Sequence, residues 1–207
     1  MILYPMLNIE EGKKATRFAR ENVELYVKHK KTSSGQLDSF FKEQRGVFVT
    51  LHKYPSYNLR GCIGIPQPVL SLQDAIINSA KSVTHDPRFL PLSEEELDKI
   101  IVEITILTPP ELINVKDPKD YLSNIKIGQD GLIAENGYFK GLLLPQVPIE
   151  QNWNVEEFLS NTCMKAGLPP DAWFDESTKI YKFRGQIFSE DKPNGEIREK
   201  SLNGSDS

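Results

Sequence analysis

The stretch from residue 47 to residue 65, VFVTLHKYPSYNLRGCIGI, decides the fold because it has the pattern of two strands joined by a turn. Apolar and polar residues alternate from Val47 to His52, which is the two-residue period of a half-buried strand. After the turn-like segment 54–58 the alternation resumes and divides the residues between two faces: Leu59, Gly61, Ile63 and Ile65 on one, and Arg60, Cys62 and Gly64 on the other. The pattern predicts an antiparallel β-hairpin.

Among the residues of this hairpin, Cys62 has the side chain best suited to covalent chemistry. The guanidinium of Arg60 would point the same way from a position about 7 Å along the strand, and a nearby cation favours the reactive thiolate. Gly61 and Gly64 flank the thiol, and strand glycines often mark the close approach of a ligand or of another backbone. Two interpretations stay open: a reactive or ligand-binding thiol, and a buried cysteine beside glycines that serve packing alone.

Length and composition favour an ordinary globular protein and argue against several function classes. The chain has 207 residues, 39% of them hydrophobic, and a net charge of −4, which is not the basic footprint of a duplex-binding protein. No apolar run approaches the ~20 residues that span a bilayer, and the first residues do not have the pattern of a secretory signal. Two cysteines and three scattered histidines suggest neither a disulfide framework nor a metal site. We expect a reduced, cytoplasmic protein with no metal and no cofactor.

Helical and strand patterns do not alternate strictly along the rest of the chain. Capping-box sequences and apolar spacing predict helices over residues 9–30, 71–85 and 154–167. Residues 100–107 predict a buried strand in which Glu103 is the single charge, so this carboxylate must be paired, face a cleft or lie on a wet face. This order favours an α+β fold with mainly antiparallel sheets and packed helices.

Several further motifs form a recognisable set: Gly46–Leu51, Leu59–Gly64, Asp86–Phe89, Glu103 with Leu107–Glu111, Ile127–Leu132, Gly141–Gln146, Trp153 and Lys165–Pro170. In these motifs and their order, over roughly residues 7 to 190, the chain resembles the AMMECR family, as a microbial member. The resemblance implies a compact α+β fold of two interleaved subdomains, and it implies no established activity. Microbial genes of this family often lie beside genes for Memo-like and radical S-adenosylmethionine proteins, which makes both classes expected partners.

The resemblance also implies an organisation of the chain into a single domain and a tail. The domain would cover residues 1–190, and the polar segment 191–207 is expected to be disordered. One subdomain would hold the 46–65 hairpin and the 71–85 helix. The other would be built from the N-terminal helix and the C-terminal half.

The leading functional hypothesis is an enzyme whose cleft is centred on residues 59–64. Its candidate catalytic residues are Cys62 as a nucleophile or redox thiol, Arg60 and Glu103; its candidate ligand-binding residues are Gly61, Gly64, Asp86, Arg88, Gln146 and Trp153. Arg60 and Arg88 would bind an anionic group. One alternative is a binding module for a nucleotide or a nucleic-acid-derived small molecule. The other is a protein-interaction adaptor that uses the strip 143–148.

Overall fold

The computed structural model describes residues 6–33, 35 and 37–200. The chain divides into two compact units. The first unit combines the described parts of Met1–Pro109 and Gln186–Ser201, and the second comprises Pro110–Gly185. The second unit is therefore inserted between two chain segments of the first, so the two are interleaved in sequence.

Helices and strands do not alternate strictly along the chain, and the strands described below pair in antiparallel fashion, as the α+β prediction requires. The α-helices are α1 (Ile9–His29), α2 (Leu72–Val83), α3 (Tyr121–Asn124), α4 (Val147–Glu150) and α5 (Val155–Lys165). The strands are β1 (Val47–Lys53), β2 (Leu59–Ile65), β3 (Ile100–Leu107), β4 (Glu111–Leu112), β5 (Asp130–Asn136), β6 (Phe139–Leu143), β7 (Lys179–Glu190) and β8 (Ile197–Lys200). Short 3₁₀ helices cover Ser39–Lys42, Glu94–Lys99, Pro118–Asp120 and Ala172–Phe174.

The sheet of the first unit is built around the predicted hairpin. Its strand order is β2-β1-β3-β7, and β8 pairs with the end of β7. β1 is antiparallel to both β2 and β3. One face of these strands, which includes Val49, Leu51 and Ile104, is fully buried. The opposite face carries Thr50, Cys62 and Glu103.

The helices α1 and α2 cover the apolar face of this sheet. α1 begins at a capping box in which Asn8 and Glu11 bond each other's backbone N–H groups, as the sequence predicts. Its apolar stripe, represented by Phe18 and Val23, shares one hydrophobic core with Ile76 of α2. Burial of these stripes leaves only the other sheet face for polar chemistry.

The second unit has its own sheet and core. β5 pairs with β6 and with the first half of β7, which also pairs with β4. The β5–β6 turn contains Gly137 with a φ of 59°, as the Asn136-Gly137 hairpin signal predicts. Phe158 and Cys163 of α5 are fully buried in the core of this unit.

The structure differs from the expected organisation at two places. α1 belongs to the first unit with the hairpin and α2, because its apolar stripe completes their core. The expected tail contains a strand, because Ile197–Lys200 forms β8 against β7 and buries Ile197. Residues 201–207 lie outside the described residues. Within the described part of the chain, no helix is both long enough and apolar enough to cross a membrane.

Candidate functional site

Three adjacent strands bring Cys62, Thr50 and Glu103 into one row on the face of the first unit's sheet that is opposite to α1 and α2. Thr50 is the register partner of Cys62 on β2 and of Glu103 on β3. Residues directly opposite in a ladder share a face, so all three side chains leave the same side. Thr50 Oγ1 donates to Cys62 Sγ at 3.3 Å. Two strand spacings separate the backbones of Cys62 and Glu103, which is about 10 Å.

A β-bulge at Arg60 changes the predicted faces of β2. His52 pairs with Leu59 and Leu51 pairs with Gly61, so Arg60 is an extra residue in the ladder. Leu59 consequently shares the face of His52 and Cys62, which corrects the alternation expected from the sequence. The bulge breaks the two-residue period between Leu59 and Gly61.

Arg60 is buried and forms an ion pair with the partly exposed Glu96. It is 5% exposed, and its guanidinium donates to both Glu96 carboxylate oxygens at 2.6 and 2.9 Å. It also donates to the carbonyl oxygen of Leu90 at 3.0 Å. These contacts fasten the 3₁₀ helix Glu94–Lys99 and the preceding loop to β2. Arg60, which the sequence predicts as an anion-binding group, therefore has the Glu96 carboxylate as its anion.

Asp86 and Arg88 grip the backbone of Cys62. β2 is an edge strand of this unit's sheet, so the outer N–H and C=O groups need partners beyond the ladder. Asp86 Oδ2 accepts from Cys62 N at 2.8 Å, and Arg88 Nη2 donates to Cys62 O at 3.1 Å. Arg88 also donates to both oxygens of the buried Asp86 carboxylate. Hydrogen bonds from Arg88 and from the Cys62 N–H lower the pKa of Asp86 well below its usual range.

Glu103 lies at the centre of a polar cluster that also contains Tyr57, His52 and Lys200. Tyr57 Oη donates to Glu103 Oε2 at 2.7 Å, and Lys200 Nζ lies 3.2 Å from the same oxygen and contacts Tyr57 Oη. His52 Nε2 is 3.5 Å from Glu103 Oε1, and the His52 ring stacks on Tyr57 with centroids 4.0 Å apart. The sequence-predicted carboxylate is therefore paired and faces this cluster.

The electrostatics of the cluster keep Glu103 ionised. Burial by itself raises the pKa of Glu103, but the polar contacts from His52 and Tyr57 and the charge of Lys200 outweigh burial and hold it at about 2. Burial and the neighbouring carboxylate raise the pKa of Tyr57. At neutral pH the cluster therefore holds a carboxylate, a protonated phenol and an ammonium group.

Tyr57 reaches this cluster through an unusual backbone conformation. Its φ is 58°, in the left-handed region that bulky residues rarely adopt. Tyr57 N donates to Lys53 O at 2.7 Å, and His52 Nδ1 is 3.2 Å from Tyr57 O. Strained backbone of this kind is concentrated at functional sites, and here it places the phenol next to Glu103.

The two glycines beside Cys62 make room for the chain's own atoms. A Cβ on Gly61 would lie 3.1 Å from the Val83 carbonyl oxygen and side chain at the end of α2. A Cβ on Gly64 would lie 2.3 Å from the Phe48 ring and 2.4 Å from Val47 O. Packing by neighbouring elements thus explains both glycines.

Gln146 and Trp153 belong to the second unit. Gln146 precedes α4, and its carbonyl oxygen accepts from Glu150 N at 3.0 Å. Trp153 is partly buried against the core of the second unit, and its backbone N–H donates to Pro148 O at 2.8 Å. The structure thus gives both residues local structural contacts.

Two members of the polar cluster escaped prediction as site residues. Lys200 lies in the segment that the sequence predicts to be a tail, and Tyr57 lies in the turn-like segment 54–58. The signal for Lys200 is the short pattern of Ile197–Lys200, in which one buried isoleucine precedes alternating charges. Among residues 6–33, 35 and 37–200, no group of three or more His, Cys, Asp or Glu side chains could hold a metal ion.

Comparison with known proteins places relatives of this chain in archaea. A family model described as AMMECR1 matches residues 16–188. Protein MJ0810 of Methanocaldococcus jannaschii is 54% identical over 198 residues, which cover 95% of this chain and 98% of the relative. Protein MK0488 of Methanopyrus kandleri is 45% identical and covers 95% of this chain and 96% of its own.

A solved structure shows the same fold. The crystal structure of the uncharacterised protein PH0010 from Pyrococcus horikoshii matches with a TM-score of 0.80 and 48% sequence identity. The match covers 94% of this chain and 98% of the other. The fold class and the family expected from the sequence are both confirmed.

Proposed function

The chain belongs to the AMMECR1 family, and from this premise we propose that it is an enzyme that uses Cys62 as a covalent nucleophile. The observation that carries the proposal is the row of Cys62, Thr50 and Glu103 on one sheet face. The Cys62 thiol is partly exposed, and the Asp86 carboxylate holds the backbone N–H of Cys62. The polar cluster around Glu103 lies two strands away. Covalent catalysis needs such a positioned nucleophile with proton-carrying groups nearby.

The proposed roles follow from the contacts of each residue. The Cys62 sulfur attacks the acyl carbon of a small ester: a sulfur–carbon bond forms, the bond from that carbon to the alkoxy oxygen breaks, and the alcohol leaves with the proton that the thiol gave up. Water then hydrolyses the thioester and restores the Cys62 thiol. Asp86 and Arg88 position Cys62 through its backbone. Glu103 remains ionised at neutral pH, so it holds Tyr57, His52 and Lys200 in place rather than delivering a proton. His52 is the group proposed to carry protons to and from the substrate. A reduced thiol is essential to this chemistry, so the proposed setting is the cytoplasm.

Arg88 supports a second candidate function, the binding of an anionic or nucleotide-like ligand. Its side chain is 54% exposed although it bonds Asp86, and its ring neighbour Phe89 lies 5.7 Å from the guanidinium carbon. An exposed guanidinium beside an aromatic ring fits phosphate and base recognition. Assembly with Memo-like or radical S-adenosylmethionine proteins is compatible with either function and is kept as a proposal.

Thiol labelling with an internal comparison tests the nucleophile. Cys163 is fully buried, and burial raises its pKa to about 11. We expect iodoacetamide to label Cys62 in the native protein and Cys163 only after unfolding, as followed by peptide mass spectrometry. An acyl probe, p-nitrophenyl acetate, should then release one burst of p-nitrophenolate per chain and leave its acetyl group on Cys62.

The controls separate a reactive thiol from a merely accessible one. Cys62→Ser should abolish both the native labelling and the burst, while Cys163→Ser should leave both unchanged. Native protection of Cys62 equal to that of Cys163 would exclude the nucleophile. In that case, a ligand that stabilises the wild-type protein and Cys62→Ser but does not stabilise Arg88→Ala would favour the binding function.

A further inference from the structure

We propose that Glu103 and Tyr57 form a binding site for a primary ammonium group of a small-molecule amine, and that Lys200 occupies this site within the chain. The proposal goes beyond the nucleophile because it names a charge class for the ligand. Its connection with Cys62 rests on the proposed function, whereas the ammonium site stands on its own contacts.

The groups around Lys200 Nζ are of the kinds that bind an ammonium group. Glu103 Oε2 lies 3.2 Å away, the Tyr57 hydroxyl is in contact, and the Tyr57 ring centroid is 4.1 Å away. An ammonium group has three donors and no acceptor, so a carboxylate and a phenol oxygen match it. A tyrosine ring face adds cation–π attraction, which is larger for a group removed from water. Carboxylate, hydroxyl and ring face together form a built cation site.

The binding site and Lys200 lie on elements that differ in how strongly they are held in the fold. Glu103 is in the middle of β3, a strand with neighbours on both sides. Tyr57 is held by the β1–β2 turn through its own backbone contacts. Lys200 is the last described residue of a four-residue strand that, among the described strands, pairs with β7 alone. Fraying of a short edge strand withdraws Lys200 and leaves the carboxylate and the ring in place.

Occupation within the chain makes the site selective. Lys200 competes at the high effective concentration of a tethered group, so an external amine enters only when it gains further contacts nearby. The row of Thr50 and Cys62 offers such contacts about 5 and 10 Å from Glu103. A substrate with a primary ammonium at one end and an electrophilic carbon two strand spacings away would displace Lys200 and reach the thiol.

Replacement of the lysine exposes the site for measurement. Lys200→Met keeps the aliphatic stem and removes the ammonium group. We expect n-butylammonium chloride to raise the melting temperature of Lys200→Met saturably, at least fivefold more than that of the wild-type protein. Sodium chloride at equal ionic strength should give no saturable shift, and tetramethylammonium chloride, which has no N–H donor but is still attracted to the ring, should give a smaller shift than n-butylammonium. The measurements are made in full-length chains that also carry Cys62→Ser, so thiol chemistry does not contribute.

Matched variants decide the result. Lys140 pairs with Glu135 at 2.7 Å on the surface without a ring beneath its ammonium, so Lys140→Met should show no saturable response. Adding Glu103→Gln to Lys200→Met should abolish the response. An absent response in Lys200→Met, or one that survives Glu103→Gln, would overturn the proposal; Lys200→Gln replaces Lys200→Met if the latter does not fold. Native labelling of Cys62 is scored separately, so either proposal can fail without the other.

Discussion

Glu103 illustrates how a residue can keep a charge where a strand is otherwise apolar. Its side chain is 13% exposed, yet its pKa is about 2 instead of 4.5. A carboxyl group with a lowered folded-state pKa stabilises the protein above the unfolded-state pKa and loses this contribution as pH falls through the folded-state value. A shift of this size corresponds to about 3 kcal/mol. The contribution is complete at neutral pH and disappears between pH 4.5 and 2.

Glu103→Gln should therefore destabilise the protein in a pH-dependent way. We expect a loss of about 2–3 kcal/mol in the free energy of unfolding at pH 7 and of less than about 1 kcal/mol near pH 2.5. Urea denaturation of both proteins at the two pH values measures the difference. Glu111→Gln, an exposed strand position, is the matched control and should change neither value by more than about 0.5 kcal/mol. An equal loss at both pH values would contradict the charge argument.

Asp86 acts at the residue scale through the backbone of Cys62. Asp86→Asn weakens the bonds to Arg88 and leaves a polar N–H of Cys62 less well satisfied. The expected cost is about 2 kcal/mol at pH 7, because one partner, Arg88, is more than half exposed and screened by water.

The same variant should alter the chemistry as well as the stability. We expect iodoacetamide to react with Cys62 at a changed rate in Asp86→Asn, because the Asp86 carboxylate no longer holds the backbone of Cys62. The exposed Asp98→Asn should leave both stability and labelling unchanged. A labelling rate equal to the wild-type value would argue against a positioning role for Asp86.

At the scale of elements, the glycines of β2 set how closely its neighbours approach. Gly64→Ala places a Cβ against Phe48 and the Val47 carbonyl, which belong to a paired strand that cannot easily shift. We expect a loss of about 2–3 kcal/mol by denaturant unfolding. Gly61→Ala meets Val83 at 3.1 Å and requires a shift of only a few tenths of an ångström, so about 1 kcal/mol is expected. A larger effect at Gly61 than at Gly64 would contradict this packing account.

Elements were predicted well where one local signal was sufficient. The capping box at Asn8 and the Asn136-Gly137 turn are formed by adjacent residues, and both appear in the structure. The bulge at Arg60 was not predicted, because it depends on the Glu96 carboxylate from a distant segment.

At the scale of the whole molecule, a buried ion pair ties the two chain segments of the first unit. Arg20 of α1 donates to both oxygens of Glu190 at the end of β7, each at 2.5 Å, and Val102 N donates to Glu190 Oε2 at 2.9 Å. Both charged side chains are less than 8% exposed. Removal of the Glu190 charge leaves the buried Arg20 guanidinium with only the partly exposed Glu24 carboxylate, at 3.3 Å, as its counterion, which is strongly destabilising.

Glu190→Gln should accordingly lower the free energy of unfolding by about 3 kcal/mol. Glu196→Gln removes a carboxylate from an exposed pair with Arg198 and should cost less than about 0.5 kcal/mol. Chemical denaturation of both variants at pH 7 provides the comparison. Similar costs for the two variants would show that the buried pair does not fasten the C-terminal segment.

Four features could be predicted from local sequence patterns: the α+β class, the hairpin around Cys62, the buried strand around Glu103 and the family. Each depends on short-range periodicity, helix caps and turn residues, which can be recognised within a single segment of the chain. The hydrogen-bond and ion-pair partners of the polar side chains became known from the folded structure alone. Arg60 bonds Glu96, Asp86 and Arg88 bond the backbone of Cys62, and Tyr57 and Lys200 meet at Glu103. These contacts join residues 24 to 143 positions apart, and such pairings arise from strand register and core packing, which no local pattern in a single sequence encodes.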